Sequence, residues 1–411
     1  MAFEAGRWFP RSATTDGKRL LATRAMRGFA DGAVSVLLPS YLLTLNFSAG
    51  QVGAIVFGTL LGSAALTLCV GLLSNRLGRK RLLLAACILM WATGLGFAAT
   101  TNFWLLFVVA IIGTLNPSAG DVSLFLPVEQ AALAQTVVSR DFTVMFAYYN
   151  VAGALTGAVG ALASGLPQMM ATSYGWNLAS AQRCGFIAYS LIALAAALIY
   201  SRLSTAVEAE PVARPTNALS KSGGVVLKLS ALFSIDSFGG GFVVQSLLAL
   251  WLFRRFGLSV QEAGVFFFAT GLLGAMSQLV SSSLAARFGR INTMVYTHLP
   301  ANGFLILAAL MPTAPLALGC LLLRSALSSM DVPARQSFVM AVVPAQERAA
   351  AASVTNVPRS LASAFAPLPA GLLLDYTLFG WPLVIGGTLK VIYDLLLLKE
   401  FGSARPTDES N

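Results

Sequence analysis

Apolar stretches of about the length that carries a helix across a bilayer follow one another along most of the chain, each closed by Gly, Pro or charge. Twelve are read, over 29–46, 51–73, 82–100, 103–128, 142–166, 184–203, 226–253, 259–286, 291–311, 314–343, 349–374 and 378–398. A hydrocarbon core of about 30 Å takes about 20 helical residues. A chain of 411 residues with short connections has room for twelve such crossings. The stretches are continuous and rich in Leu and Ala, without the alternating segments of about ten residues that a membrane β-barrel needs. An all-α membrane protein with twelve transmembrane helices is predicted.

With 56% hydrophobic and 11% charged residues and a mean hydropathy of +0.75, the chain lacks the charge to cover a water-soluble globule. A net charge of +10 invites a nucleic-acid reading until the 27 Lys and Arg are set against the twelve stretches. About twenty fall on one side, among them Arg24, Arg27, Lys80, Arg81, Arg214 and Arg405, whereas Arg183, Arg254 and Arg255 fall on the other. This asymmetry follows the positive-inside rule. It predicts cytoplasmic termini and a multi-pass protein of a bacterial inner membrane, and it explains the basic charge without nucleic acid. Residues 1–28 are polar and basic, so no cleavable signal peptide is expected and the first crossing targets the chain. Cys69, Cys87, Cys184 and Cys320 lie within apolar stretches and read as packing residues rather than as a disulfide framework.

The two halves of the chain repeat each other in parallel, at an offset near 208 residues. Asp31 matches Asp236 at 205, and Ser48–Gln51/Gly53 matches Ser259–Gln261/Gly264 at 211. Arg76-Leu77-Gly78-Arg79 matches Arg287-Phe288-Gly289-Arg290, also at 211. Asp121-Val122 matches Asp331-Val332 at 210, and Asn150-Val151 matches Asn356-Val357 at 206. Two pseudo-symmetric six-helix bundles are therefore expected, over 1–203 and 226–411, joined by a Pro-, Ser- and charge-rich cytoplasmic linker over 204–225.

Between the second and third stretches, Gly71-Leu-Leu-Ser-Asn75-Arg76-Leu-Gly78-Arg79-Lys80-Arg81 resembles the Gly-x-Leu-x-Asp-Arg-x-Gly-Arg-Arg/Lys signature of major facilitator transporters. A worn copy recurs at Arg287, Gly289 and Arg290, and with the span count and repeat the resemblance covers essentially the whole chain. It implies the twelve-helix major facilitator fold, a bacterial efflux-permease-like transporter, and a cytoplasmic gate at these residues. Physically, the glycines permit tight turns and the arginines can pair with carboxylates or helix C-termini, latching one conformation. The family's acidic position is Asn75 here. Asp121 or Glu129 is expected to supply the missing carboxylate to Arg76 or Arg79.

Charge inside a bilayer costs a few kcal/mol or more and calls for a partner or a water-filled cavity. Asp31 and its repeat mate Asp236 are candidates for proton or substrate coupling; for Asp31 an ion pair with Arg27, one turn away, is the competing reading. Asp331 and Arg335 are spaced for a salt bridge within one helix, which favours a structural or gating role over coupling. Arg324, deeper in the same stretch, is placed to attract an anionic substrate or to stabilise a nearby carboxylate. Arg359 and Lys390 read as structural, Lys390 by snorkelling. Asn116-Pro117 and the run containing Pro367 and Pro369 interrupt helices and are candidate hinges. Gly153, Gly157 and Gly160 form a small-residue stripe for close helix packing. Drug/proton antiporters of the family end a Gly-rich motif in this helix with Gly-Pro, and that Pro is absent. His298 reads as a packing or interfacial residue, with no metal-ligand spacing around it.

No Walker A loop, HExxH or nucleophile elbow is present in a suitable context, so an enzyme, a metal and a cofactor are not expected. The main expectation is a monomeric, proton-coupled secondary transporter working by alternating access in the lipid bilayer, exporting a small organic compound or drug. The alternatives are a metabolite-uptake symporter, an exporter of trivalent metalloid through the cysteines, and a non-transporting membrane sensor or assembly protein.

Overall fold

The computed structural model describes residues 14–118, 123–137, 141–208, 222–343 and 347–402. The first half contains α1 (Thr15–Thr44), α2 (Ala49–Leu77), α3 (Arg79–Ala99), α4 (Phe103–Ile112), α5 (Phe125–Leu133), α6 (Phe142–Ala163), α7 (Leu166–Tyr174) and α8 (Leu178–Ser201). The second contains α9 (Gly223–Gly241), α10 (Gln245–Phe256), α11 (Val260–Phe288), α12 (Arg290–Leu310), α13 (Ala314–Ser328), α14 (Asp331–Val342), α15 (Arg348–Phe365), α16 (Pro367–Tyr376) and α17 (Trp381–Phe401). Joining α4 to α5, α6 to α7, α9 to α10, α13 to α14 and α15 to α16 gives six crossings per half. Among the described residues, nine of the twelve are long and apolar enough by themselves to cross a bilayer, and the short apolar helices α4 and α13 open two more. The remaining one, α1, has the length but carries Arg24, Arg27 and Asp31.

The local chemistry at the helix ends repeats with the sequence. Ser48 and Ser259 each cap a helix, and each forms a reciprocal capping box, with Gln51 and Glu262 respectively. The true mate of Gln51 is thus Glu262 rather than Gln261. Gly78 and Gly289 hold φ of 78° and 83°, each ending one helix and starting the next. Only glycine takes that conformation without strain, which fixes both turns.

Five departures from the apolar pattern are present. α1 begins at Thr15, because its polar first turns continue the helix beyond the apolar run. The fourth crossing leaves the helix over 113–118, around Pro117, and α5 begins at Phe125. The seventh breaks between α9 and α10, just past Gly239-Gly240-Gly241, a run that weakens a helix by its backbone entropy. The tenth is interrupted between Ser328 and Asp331. At the eleventh, α16 begins at Pro367, where the missing N–H costs nothing at a first helical position.

α1 and α6 cross in backbone contact: a Cβ added to Gly32 would lie 1.9 Å from the Gly157 carbonyl oxygen. Between halves, α11 lies on α6, α15 and α16 on α2, and α10 on α1. Residues of the second half farthest from the termini, including Val244, Trp251, Phe266 and Leu374, share one apolar cluster with the first half. Those nearest the termini, including Val226, Phe338 and Leu397, form a separate cluster. Among the described residues, the halves therefore share an apolar cluster at the end remote from the termini and none at the other.

Candidate functional site

Below that junction, at mid-depth between the halves, lies a cavity of ≈ 430 Å³. Such a volume is in the range of small-molecule pockets, about 300–1,000 Å³. The first half contributes small residues from α6, among them Ala154, Gly157 and Ala161, and the second contributes nearly all the polar wall.

Asp236 is on that wall and buried. Lys390 Nζ donates to its Oδ1 at 2.6 Å and Arg335 Nη1 to its Oδ2 at 3.3 Å. Arg335 also reaches back to Asp331 at 3.0 Å across one helical turn. His298 places Nε2 3.9 Å from Asp236, while its Nδ1 lies 2.9 Å from Asp394, which also accepts from Asn302 at 3.0 Å. Three helices, α12, α14 and α17, thus converge through charge on one carboxylate of α9. Such a network ranks its members by what they contact: Asp236 meets the cavity, and Asp331, Asp394 and Asn302 hold its partners in place.

In the first half, the fully buried Glu129 accepts from Arg27, from the Tyr149 and Tyr200 hydroxyls, and from Thr23 Oγ1 at 3.1 Å. Arg27 lies over the Phe125 ring, 4.1 Å from its centroid, and donates to Ser123 Oγ at 3.3 Å. Four donors on the two oxygens of one carboxylate satisfy it, and the arrangement reads as an anchor between α1, α5, α6 and α8. Asp31, one turn beyond Arg27, makes no salt bridge among the described residues and does not line the cavity; Asn116 is its polar neighbour. The ion pair of Asp31 with Arg27 is overturned, since Arg27 is taken by Glu129. The repeat mates Asp31 and Asp236 therefore occupy different environments.

The expected pairing of Glu129 with Arg76 or Arg79 is also overturned. Arg79 Nη1 instead donates to the Val207 carbonyl at 3.0 Å, and Lys80 Nζ to that of Leu203 at 2.8 Å. The Glu208 carboxylate accepts the backbone N–H groups of Arg79 at 2.6 Å and Lys80 at 3.1 Å. A linker carboxylate thus sits at the N-terminus of α3, where the helix dipole favours it. The surroundings of Gly71, the side chains of Asn75 and Arg76, and Asp121 as a whole, lie outside the described residues. Arg287 is exposed over Phe288, 5.3 Å from its ring centroid, and Gly289 and Arg290 open α12.

The Pro117 carbonyl accepts from the backbone N–H of Ser246 at 3.1 Å, so the broken fourth crossing is satisfied by the opposite half. Pro367 and Pro369 lie in the first turn of α16, against α2. Lys390 and His298 are corrections: Lys390 turns inward to Asp236 rather than to the interface, and His298 bridges two carboxylates. Asp394 was missed. Its one signal was its place four residues after Lys390 in an apolar run.

Two six-helix halves around a mid-depth cavity walled by buried charge define a polytopic membrane transporter. The profile of the Major Facilitator Superfamily matches residues 20–367 and 230–409, and the chain belongs to that superfamily. It is 26% identical over 421 residues to the uncharacterized membrane protein YJR124C of Saccharomyces cerevisiae, covering 94% of each chain. It is 24% identical over 376 residues to the multidrug efflux protein YfmO of Bacillus subtilis, covering 89% of this chain and 88% of that one. The partially occluded inward open xylose transporter XylE of E. coli superposes with a TM-score of 0.74 at 15% identity, over 97% of this chain and 100% of the other. That likeness is one of fold.

Proposed function

We propose that this protein is a proton-coupled secondary transporter that moves a small polar molecule by alternating access, its transport path contained within a single chain whose termini are cytoplasmic. The observation that carries this reading is Asp236, a buried carboxylate on the cavity wall held at 2.6 Å by Lys390. Protonation would remove the charge that holds Lys390 and Arg335, so proton binding and ligand binding would meet at one group. Purified protein in proteoliposomes tests this. Asp236→Asn should abolish accumulation driven by a pH gradient while leaving counterflow exchange. Gradient-driven accumulation unchanged in the variant sinks proton coupling at Asp236, and absence of exchange in the parent protein supports a sensor instead.

Resemblance to efflux permeases and the largely apolar, Ala- and Leu-rich helices favour export of an organic compound. The cavity wall nevertheless carries polar groups, with Ser118, Ser237, Gln245, Gln278 and Ser360 among the lining. Uptake of a polar metabolite is accordingly the second reading, and the direction of proton-driven flux in oriented vesicles separates the two. Metalloid export has no support here, since none of the four cysteines lines the cavity.

A further inference from the structure

The ionisable side chains lining the cavity are Asp236, Arg324, Arg359 and Lys390, three cations against one carboxylate. The groups behind them do not reverse that balance. Arg335 is matched by Asp331 at 3.0 Å, and Asp394 faces His298 at 2.9 Å. Among these described residues, taken together, one excess positive charge remains with His298 neutral and two with it protonated.

Arg324 is the member without an answering group. It makes no salt bridge or hydrogen bond among the described residues, and its Nε is buried without a partner. A guanidinium at mid-depth in a bilayer protein is expensive to leave unmatched. Its planar fork suits a carboxylate or a phosphate in two-point contact, which a neutral hydroxyl cannot provide. Beside it on the same crossing stand Ser325, Ser328 and Ser329, and Ser360 and Ser363 face the same space from α15. Hydroxyls at this density suit a ligand that is itself hydroxylated. The opposite wall, Ala154 to Ala161 of α6, offers no charge.

We propose that the cavity takes a small hydroxylated organic anion, a carboxylate or a phosphate ester, with its anionic group seated on Arg324. This rests on the transport reading for its purpose but not for its test. Thermal unfolding of the purified full-length protein is measured with gluconate, glucose 6-phosphate, glucose or glucosamine at matched ionic strength. At least one of the two acids should raise the unfolding temperature while glucose and glucosamine leave it unchanged, and whichever acid acts distinguishes carboxylate from phosphate. Arg324→Gln should weaken that acid's apparent affinity on the order of 10- to 100-fold, the effect of losing charge-assisted hydrogen bonds. Arg324→Lys, which keeps the charge and loses the fork, should fall between. If Arg324→Gln does not purify as a single species, the Lys variant carries the test, and an unchanged affinity in it overturns the proposal. Equal stabilisation by glucose or glucosamine, a full response in Arg324→Gln, or no response to either acid also overturns it. Acid binding without counterflow would defeat the transport reading and leave this one, whereas counterflow of glucose alone would do the reverse.

Discussion

The Asp375 carboxylate, near the end of α16 in the second half, accepts the backbone N–H of Ala49, at the head of α2 in the first half, at 2.7 Å. It also accepts from the Gly50 N–H at 2.7 Å and the Ser48 hydroxyl at 2.9 Å, and Arg254 braces it at 3.2 Å. An anion on the free N–H groups of a helix start is a favourable placement in itself. Here the helix belongs to one half and the anion to the other, so opening the face remote from the termini must break the contact.

Asp375→Ala should therefore shift the protein toward opening on that face. Hydrogen bonds to a charged group contribute about 1.5–3 kcal/mol, enough for a population change of roughly ten- to a hundredfold. The check is maleimide labelling from the remote face of a Val243→Cys variant, in a background with the four native cysteines replaced by Ser. Labelling no faster in the Asp375→Ala protein would count against the latch.

Removing one member of the Arg27–Glu129 pair strands the other in the bundle interior. Glu129→Ala should lower stability by about 3–5 kcal/mol, read as unfolding in detergent. Replacing both residues by Met should recover much of that loss, because the stranded charge is gone. A double variant as unstable as the sum of the two single ones would show that the residues act independently.

Glu208→Gln should loosen the first turn of α3, where the carboxylate accepts from Arg79 and Lys80. A helix cap is worth about 0.5–2 kcal/mol. Hydrogen exchange at those two amides should quicken several-fold, with no change at the equivalent turn of α12. Equal exchange in both proteins would remove Glu208 from the gate.

Asp16, at the terminus end of α1 beyond the apolar run, offers a pH test. Burial by itself raises its pKa, but bonds from the Ser204 hydroxyl and from Arg19 outweigh this and hold it below the usual carboxylate range. A carboxyl depressed by folding stabilises the fold fully above its unfolded pKa, and the gain fades as pH falls through the folded value. The unfolding temperature should thus drop below about pH 4, and Asp16→Asn should flatten that part of the curve. A variant with the parent's acid slope would assign the slope elsewhere.

Much of the fold was readable before any contact was known. Lipid as solvent forces each crossing to be a long apolar helix with its backbone bonds satisfied internally, so span count follows from composition along the chain. Turns and caps are equally local, which is why Gly78, Gly289, Ser48 and Ser259 declare themselves together with the two-fold repeat. The prolines at 117 and 367 mark breaks for the same reason. The break after Gly241 escaped, because a helix tolerates glycine and only packing against the neighbouring helices decides whether it ends there.

What the chain alone determined, then, was two copies of a six-helix unit and the crossing on which each charge sits. Which charge meets which was decided by the tertiary structure. Lys390 and Asp236 are 154 positions apart, and Arg27 and Glu129 102. A buried charge accepts whichever opposite group the helix packing brings within reach. For that reason Arg27 passed over Asp31 one turn away, and Lys390 turned inward to the cavity.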